Sequence, residues 1–233
     1  MKVRVLRVFT DEEHRFGNPL GLVDDGASIT DADQRQALAA VLGYSETAYI
    51  DDPETGKVQF YSPRRAVPFA GHAAIGAAWA IARMLGHVPR VLRTPAIEAQ
   101  VWIDGPLTWV RAPLAGTPPW WHERLPTPEA VEGLTGPLSP EQDMTQLWSW
   151  IDEDQGVMRV RTFASRVGLD EDEACGTGAM RMAAAFGRPL TLRHGRGSLI
   201  FAAPGPPGYA DIGGYVAEDV PRQVTNLSCP NSV

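Results

Sequence analysis

The chain has 233 residues, enough for one domain or two small ones with a buried core. Hydrophobic residues at 44% and charged residues at 21% exclude a disordered or low-complexity chain, and a formal charge of −7 without a basic stripe argues against a nucleic-acid partner. Two cysteines, Cys175 and Cys229, are too few for a disulfide framework and point to a reducing cytoplasm.

The first residues, Met1 to Val8, alternate charged and apolar side chains; they lack the apolar core of a secretion signal, and Lys2 to Phe9 reads as a strand. A turn follows at Phe16-Gly-Asn-Pro19. Thr30 is placed to cap a helix running to about Leu42, with Ile29 as a staple and Gly43 as the stop. Ser45 to Ile50 and Lys57 to Ser62 have the β-branched and aromatic content of strands. Ala73 to Leu85, closed by Gly86, is apolar nearly all round and predicts a buried central helix. The longest apolar run, Ala66 to Ala82, contains His72 and two glycines and is too short to span a membrane. Ala112 to Asp143 is rich in proline and glycine and reads as a connector with little regular structure. Its Trp120-Trp121 pair either packs the connector onto a domain surface or serves as a lid or oligomer contact. Val157 to Ala164 predicts a strand, and Ala179, Met182, Ala183 and Phe186 form a helical stripe ending at Gly187. Short strands around Ser198 to Ala202 and Tyr209 to Val216 finish the chain. Asn226-Leu-Ser228 has the spacing of a glycosylation acceptor, a chance match without a secretion signal. The expected division is residues 1–112 and 113–233, with 113–143 as the connector.

Two segments resemble each other. Phe60-Tyr-Ser-Pro-Arg64 leads after a short gap to Ala70-Gly-His-Ala-Ala74 at a helix start, and Thr162-Phe-Ala-Ser-Arg166 leads to Cys175-Gly-Thr-Gly-Ala179 at another. Duplicated halves commonly pair about a pseudo-twofold axis, which would bring the two helix starts to one cleft. A helix N-terminus offers unpaired N–H groups and partial positive charge, so two facing ones make a receptor for a carboxylate. Gly71 and Gly176 are then expected to admit a ligand close to the backbone.

Cys175-Gly-Thr-Gly-Ala179 after acidic residues resembles the second thiol motif of diaminopimelate epimerases and proline racemases. The rest of the chain more closely resembles the PhzF family of phenazine-biosynthesis-type isomerases, which are similar to those enzymes in fold. The matching pieces, in the family's order, are Phe16-Gly-Asn-Pro19, Ser45-Glu-Thr-Ala48, Val67-Pro-Phe-Ala-Gly-His-Ala73, Glu171-Asp172, Gly195-Arg-Gly-Ser198 and Ile212-Gly-Gly214. The resemblance implies an α+β fold of two pseudo-symmetric lobes, each a mostly antiparallel sheet wrapped around a central helix, with the active cleft between them. It also implies a cofactor-independent, metal-free isomerase, a homodimer acting on a small carboxylate-bearing substrate. Glu46 falls on the family's catalytic acid/base, and His72 and Asp172 on cleft positions beside it. Asn18, Ser45, Gly71, Ala73, Cys175, Gly176 and Thr177 fall on or next to positions that hold the substrate. Three departures stand out. Cys175 replaces a more usual threonine, Glu173 replaces a usual proline, and the chain is short.

Racemisation by two thiols needs a partner for Cys175, yet Ala70 occupies the equivalent place in the first repeat and Cys229 belongs to no matching motif. A single base that lifts a proton and returns it to another carbon on the same face suits Glu46, provided burial raises its pKa. Plainer readings stand beside these: Glu46 as a solvent-facing residue at a strand start, and His72 as a cap on the helix beginning at Ala73. Asp172 also reads as part of a solvated acidic loop, Thr177 as an ordinary first-turn residue and Cys175 as an inert small hydrophobe. The histidines have no metal-ligand spacing, and Gly195-Arg-Gly-Ser198, with no lysine and no suitable strand before it, reads as a turn. An isomerase is therefore expected, with a cofactor-independent amino-acid racemase or epimerase using Cys175 and a non-catalytic small-carboxylate-binding protein as alternatives.

Overall fold

The computed structural model describes residues 1–139, 141–142, 144–165 and 169–225; Arg166 of the repeat, Asn226-Leu-Ser228 and Cys229 lie outside the described residues. The first half runs β1 (Lys2–Thr10), β2 (Asn18–Val23), α1 (Ala32–Leu42), β3 (Glu46–Asp52), β4 (Lys57–Tyr61), β5 (Ala66–Val67), α2 (Gly71–Leu85), β6 (Val91–Arg93), β7 (Glu98–Asp104) and β8 (Leu107–Pro113). The second runs β9 (Trp121–Arg124), α3 (Pro128–Glu132), β10 (Thr145–Asp152), β11 (Val157–Ala164), β12 (Leu169–Asp172), α4 (Gly176–Phe186), β13 (Leu190–His194), β14 (Ser198–Pro204) and β15 (Tyr209–Gln223).

Strand pairing repeats across the halves. β2–β3 is parallel, β3–β4 antiparallel, β4–β6 parallel, and β6, β7 and β8 follow antiparallel. β9–β10 is parallel, β10–β11 antiparallel, β11–β13 parallel, and β13, β14 and β15 follow antiparallel. The short β5 and β12 sit on β4 and β11, and α1 and α3, then α2 and α4, fill matching intervals. The duplication first visible in two pentapeptides is thus a duplication of the whole wiring, in an α+β fold. β15 joins the halves: its first residues pair with β8 and β14, and its later ones with β1 from Lys2 to Thr10.

α2 packs on β1, β2, β3, β8 and β15, and ten of its residues from Gly71 to Ile81 are buried, as an all-round apolar sequence requires. α4 packs on β14 and β15 through Ala179, Met182 and Ala183, while Phe186 at its end makes edge-to-face contacts with Trp148 and Trp150. A second cluster holds α1 behind β3. Arg35 there is buried and paired with Asp51 at 2.6 Å, and Tyr49 donates its hydroxyl hydrogen to the Arg35 carbonyl.

Several boundaries differ from the sequence expectation. Asp31, not Thr30, caps α1, because its carboxylate accepts the Asp33 amide. α2 begins two residues early, at Gly71, so His72 lies within the first turn and caps nothing. Gly195-Arg-Gly-Ser198 is the expected turn, but it does follow a strand, β13. The connector is more regular than its composition suggests. It contains β9 and the five-residue α3, which Thr127 caps by accepting the Ala130 amide, with Pro128 in the first turn.

Candidate active site

The starts of α2 and α4 meet. A Cβ built on Gly71 would lie 2.9 Å from the Gly176 backbone, and one on Gly176 would lie 3.1 Å from the Cα of Gly71. Expected to admit a ligand, the two glycines instead first admit each other: any side chain would drive the helix ends apart. Neither helix has a side-chain cap, since Ala70 and Cys175 hold the N-cap positions without capping bonds. Two sets of first-turn N–H groups therefore face one region without a built-in acceptor.

Beside them opens a cavity of about 530 Å³. Its walls include Ser45, Glu46, Gly71, His72, Asp172, Cys175, Gly176 and Thr177, eight of the ten residues expected at the site. Asn18 stands behind the wall, buried, and Ala73 is fully buried in the third position of α2, outside the lining. α2 thus turns the Ala73 side chain into the core, away from the cavity lining.

Glu46 opens β3, and its carboxyl, 18% exposed at the cavity wall, approaches His72 Nδ1 at 3.3 Å. Burial above all, then the nearby charge of Asp172, pushes Glu46 up to about 8, against a smaller opposing hydrogen bond from Ser45. Burial pushes His72 down to about 3, so the imidazole is neutral and the contact is not an ion pair. Asp172 is raised by burial to about 6, with the Ala174 amide, the Cys175 thiol and the Asn18 amide opposing. Burial and then Asp172 hold the Cys175 thiol well above its ordinary value, so it carries its proton. The plainer readings of Glu46 as solvent-facing and Asp172 as a solvated loop residue do not hold: both carboxyls face this cavity.

Glu173 secures the floor. Its carboxyl accepts the Ser198 hydroxyl at 2.7 Å and the Arg196 amide, and Ser198 Oγ in turn accepts the Gly17 amide at 3.0 Å. Gly197 lies against the Phe16 ring with no room for a Cβ. The Gly195–Ser198 turn is thus tied to the loop that delivers Asn18, and glutamate in place of proline supplies the tie.

Sequence reasoning missed most of the apolar wall, made by Val67, Phe69, Ile97 and Met144. Trp120 belongs to it as well: its indole N–H donates to Thr177 Oγ1 at 3.0 Å, while Trp121 is 74% exposed. Arg65 is the one cationic side chain in the lining among the described residues. Apart from Val67, which ends the two-residue β5, these residues sit on loops, where no periodicity marks them. Arg181, one turn beyond Thr177, donates to the carbonyls of Leu114 and Thr117 at 3.1 and 2.7 Å and holds the connector against the cavity. Arg181→Met is expected to lower stability by about 1–3 kcal/mol and to speed limited proteolysis between residues 114 and 121. An unchanged cleavage rate would remove Arg181 from this role.

Residues 6–100 match the family model described as phenazine biosynthesis-like protein, PhzC-PhzF. Over 90 residues the chain is 36% identical to the uncharacterized isomerase YddE of Escherichia coli, a stretch covering 37% of this chain and only 30% of that protein. An uncharacterized isomerase of Deinococcus radiodurans is 28% identical over 256 residues, covering 84% of this chain and 81% of that one. A structure of a putative phenazine biosynthesis PhzC/PhzF protein from Clostridium difficile superposes with a TM-score of 0.73 at 15% identity, over 97% of this chain and all of the other. The chain is PhzF-like. At that identity the structural likeness establishes the fold alone, and the PhzF-like sequence signal is concentrated in the half that carries Glu46 and His72. Among the described residues no group of three histidine, cysteine or acidic side chains is placed to hold a metal ion, and no helix is long and apolar enough to cross a membrane.

Proposed function

We propose that this PhzF-like chain is a cofactor-independent isomerase that moves a proton between carbons of a small carboxylate-bearing substrate, with Glu46 as the carrier. The observation that carries the reading is one carboxyl, poised near 8, on the wall of a mostly apolar cavity that also receives two uncapped helix starts. The substrate carboxylate docks on the first-turn amides and is drawn in by Arg65 at the wall. Glu46 in its ionised form removes a proton from one carbon, and the resulting acid returns it to another on the same face. The amides steady the negative charge that spreads through the substrate between the two transfers. His72 and Asp172 set the electrostatics around the carrier. The names of the relatives, both isomerases, support this reaction class.

Epimerisation is a second reading, favoured by the protonated thiol of Cys175 on the same wall, close enough for the Glu46 charge to raise it. The experiment is incubation with unsaturated cyclic and amino carboxylates in deuterated water, followed by NMR, ultraviolet absorption and optical rotation. Isomerisation changes conjugation and places deuterium at the receiving carbon, whereas epimerisation erases rotation with conjugation intact. Cys175→Ala should preserve the first activity and abolish the second. No exchange with any carboxylate that binds would leave a non-catalytic receptor.

A further inference from the structure

A chain of hydrogen bonds runs behind the cavity wall from Asp172 to His72, beside Glu46, and its direction can be read from the chemistry of its donors and acceptors. Asn18 Nδ2 lies 2.7 Å from Asp172 Oδ1 and 3.3 Å from the Ala174 carbonyl oxygen. A carbonyl can only accept, so the amide nitrogen of Asn18 must face it, and the amide oxygen must face the other way. That oxygen meets Ser45 Oγ at 3.2 Å, so the Ser45 hydroxyl donates to it. Ser45 has one hydrogen, already committed, and therefore presents lone pairs to His72 Nε2 at 3.4 Å. The hydrogen between them belongs to Nε2. Because the imidazole is neutral, Nδ1 is left with a lone pair, 3.3 Å from Glu46 Oε2. A lone pair at that distance offers the Glu46 carboxylate no donor for its charge, which favours the protonated form of Glu46.

We infer that Asn18 and Ser45 are positioning residues that fix the Nε2–H tautomer of His72, and through it hold a proton on Glu46 in the ligand-free site. The inference rests on the reading of Glu46 as the proton carrier. The alternative orientation, with the Ser45 hydroxyl turned to Glu46, would strand the Asn18 oxygen in a buried position without a donor, which is unfavourable. That hydroxyl is nevertheless close enough to Glu46 to steady the carboxylate once the proton has left. Glu46 is faced by His72 from α2, by Asp172 from the end of β12 and by Cys175 at the N-cap of α4. Of these, the neutral Cys175 thiol leaves the proton where it is, and the Asp172 charge works in the same direction as the tautomer.

The fold supplies an internal reference. His194 is also buried and neutral, but its Nδ1 lies 2.9 Å from the Glu173 carbonyl and its Nε2 lies 2.9 Å from Thr162 Oγ1. Its hydrogen must therefore sit on Nδ1, the opposite tautomer. Long-range nitrogen–proton NMR on the ligand-free protein, labelled with ¹⁵N-histidine at pH 7, separates the two patterns. His72 is assigned by its disappearance in His72→Gln. The expected result is Nε2–H for His72 and Nδ1–H for His194. Ser45→Ala should leave His72 a mixture of tautomers, and in the parent the Glu46 carboxyl, followed by ¹³C, should still carry its proton at pH 7. An Nδ1–H or doubly protonated His72 overturns the inference, as does a Ser45→Ala protein with the tautomer unchanged or a parent Glu46 already ionised at pH 7. None of these readouts needs a substrate, so a protein inactive in deuterated water would sink the isomerase reading and leave this result standing.

Discussion

Glu46→Gln is expected to reduce turnover by about 10²–10⁴-fold, the usual contribution of a positioned acid/base, while the protein becomes more stable. Both effects have one cause. Glutamine keeps the size of the protonated carboxyl and can donate an N–H to His72 Nδ1, so the neighbouring contacts survive. It cannot take up or release a proton on the path. The stability gain follows from the raised pKa. The folded protein holds the Glu46 proton up to about 8, whereas the unfolded chain releases it near 4.5. Stability from this residue is therefore complete below pH 4.5 and is lost progressively as pH rises to about 8. Asp172 has the same sign, between 3.8 and about 6. Above pH 8 the glutamine variant should exceed the parent by about 1–3 kcal/mol, a discounted figure because part of the carboxyl meets solvent. The difference should close below pH 4.5. Denaturant melts at several pH values, beside deuterium exchange, test both halves. A variant with full turnover would end the proposed mechanism, and equal stability at all pH values would show that Glu46 is not strained by its surroundings.

The second large effect concerns the meeting of the helix starts. Gly71→Ala or Gly176→Ala should each lower stability by about 2–3 kcal/mol, because the new methyl group meets backbone atoms at about 3 Å and not a side chain that can swing away. Valine at either position should prevent folding. Gly136, with open space around its Cα, is the control, and its alanine variant should melt with the parent. Chemical denaturation midpoints decide the matter. An unchanged midpoint at Gly71 or Gly176 would mean that the two helices do not touch. Close contact here matters to function as well as to folding, since it is what sets two rows of first-turn amides around one anion position.

The parts legible in the sequence were those with a local signature. β11 coincides with its expected span, and α1, α2 and α4 end at Gly43, Gly86 and Gly187, each in the left-handed conformation that glycine adopts freely. Glu46, His72 and Asp172 were legible through the resemblance to the PhzF family, and the two repeats pointed only to the helix starts at Gly71 and Gly176. Strand β8 left no such trace, since it buries Thr108 with Val110 and Ala112 and turns Leu107 and Trp109 with Arg111 to the more exposed face, mixing polar and apolar residues on both sides. Trp109 is stacked there on Trp102, over Gly213. Thr127-Pro-Glu129 carries a sound helix-start signal, but the proline and glycine around it masked α3. The glycines show a different limit. Their presence at helix starts was readable, but whether they make room for a ligand or for each other depends on packing between distant parts of the chain.

The long last strand has a bearing on how the molecule comes to exist. β1, β8 and β14 all hydrogen-bond to residues 209–223. During synthesis the edge of β1 must wait for some two hundred residues to emerge before its partner arrives, with its row of N–H and C=O groups open to any other extended chain meanwhile. Scission at the connector would not yield two self-sufficient pieces: the leading fragment would keep two raw edges, and the trailing one would own the strand that seals them. A protein wired twice over by the same plan is in this respect indivisible, because one late ribbon closes both halves.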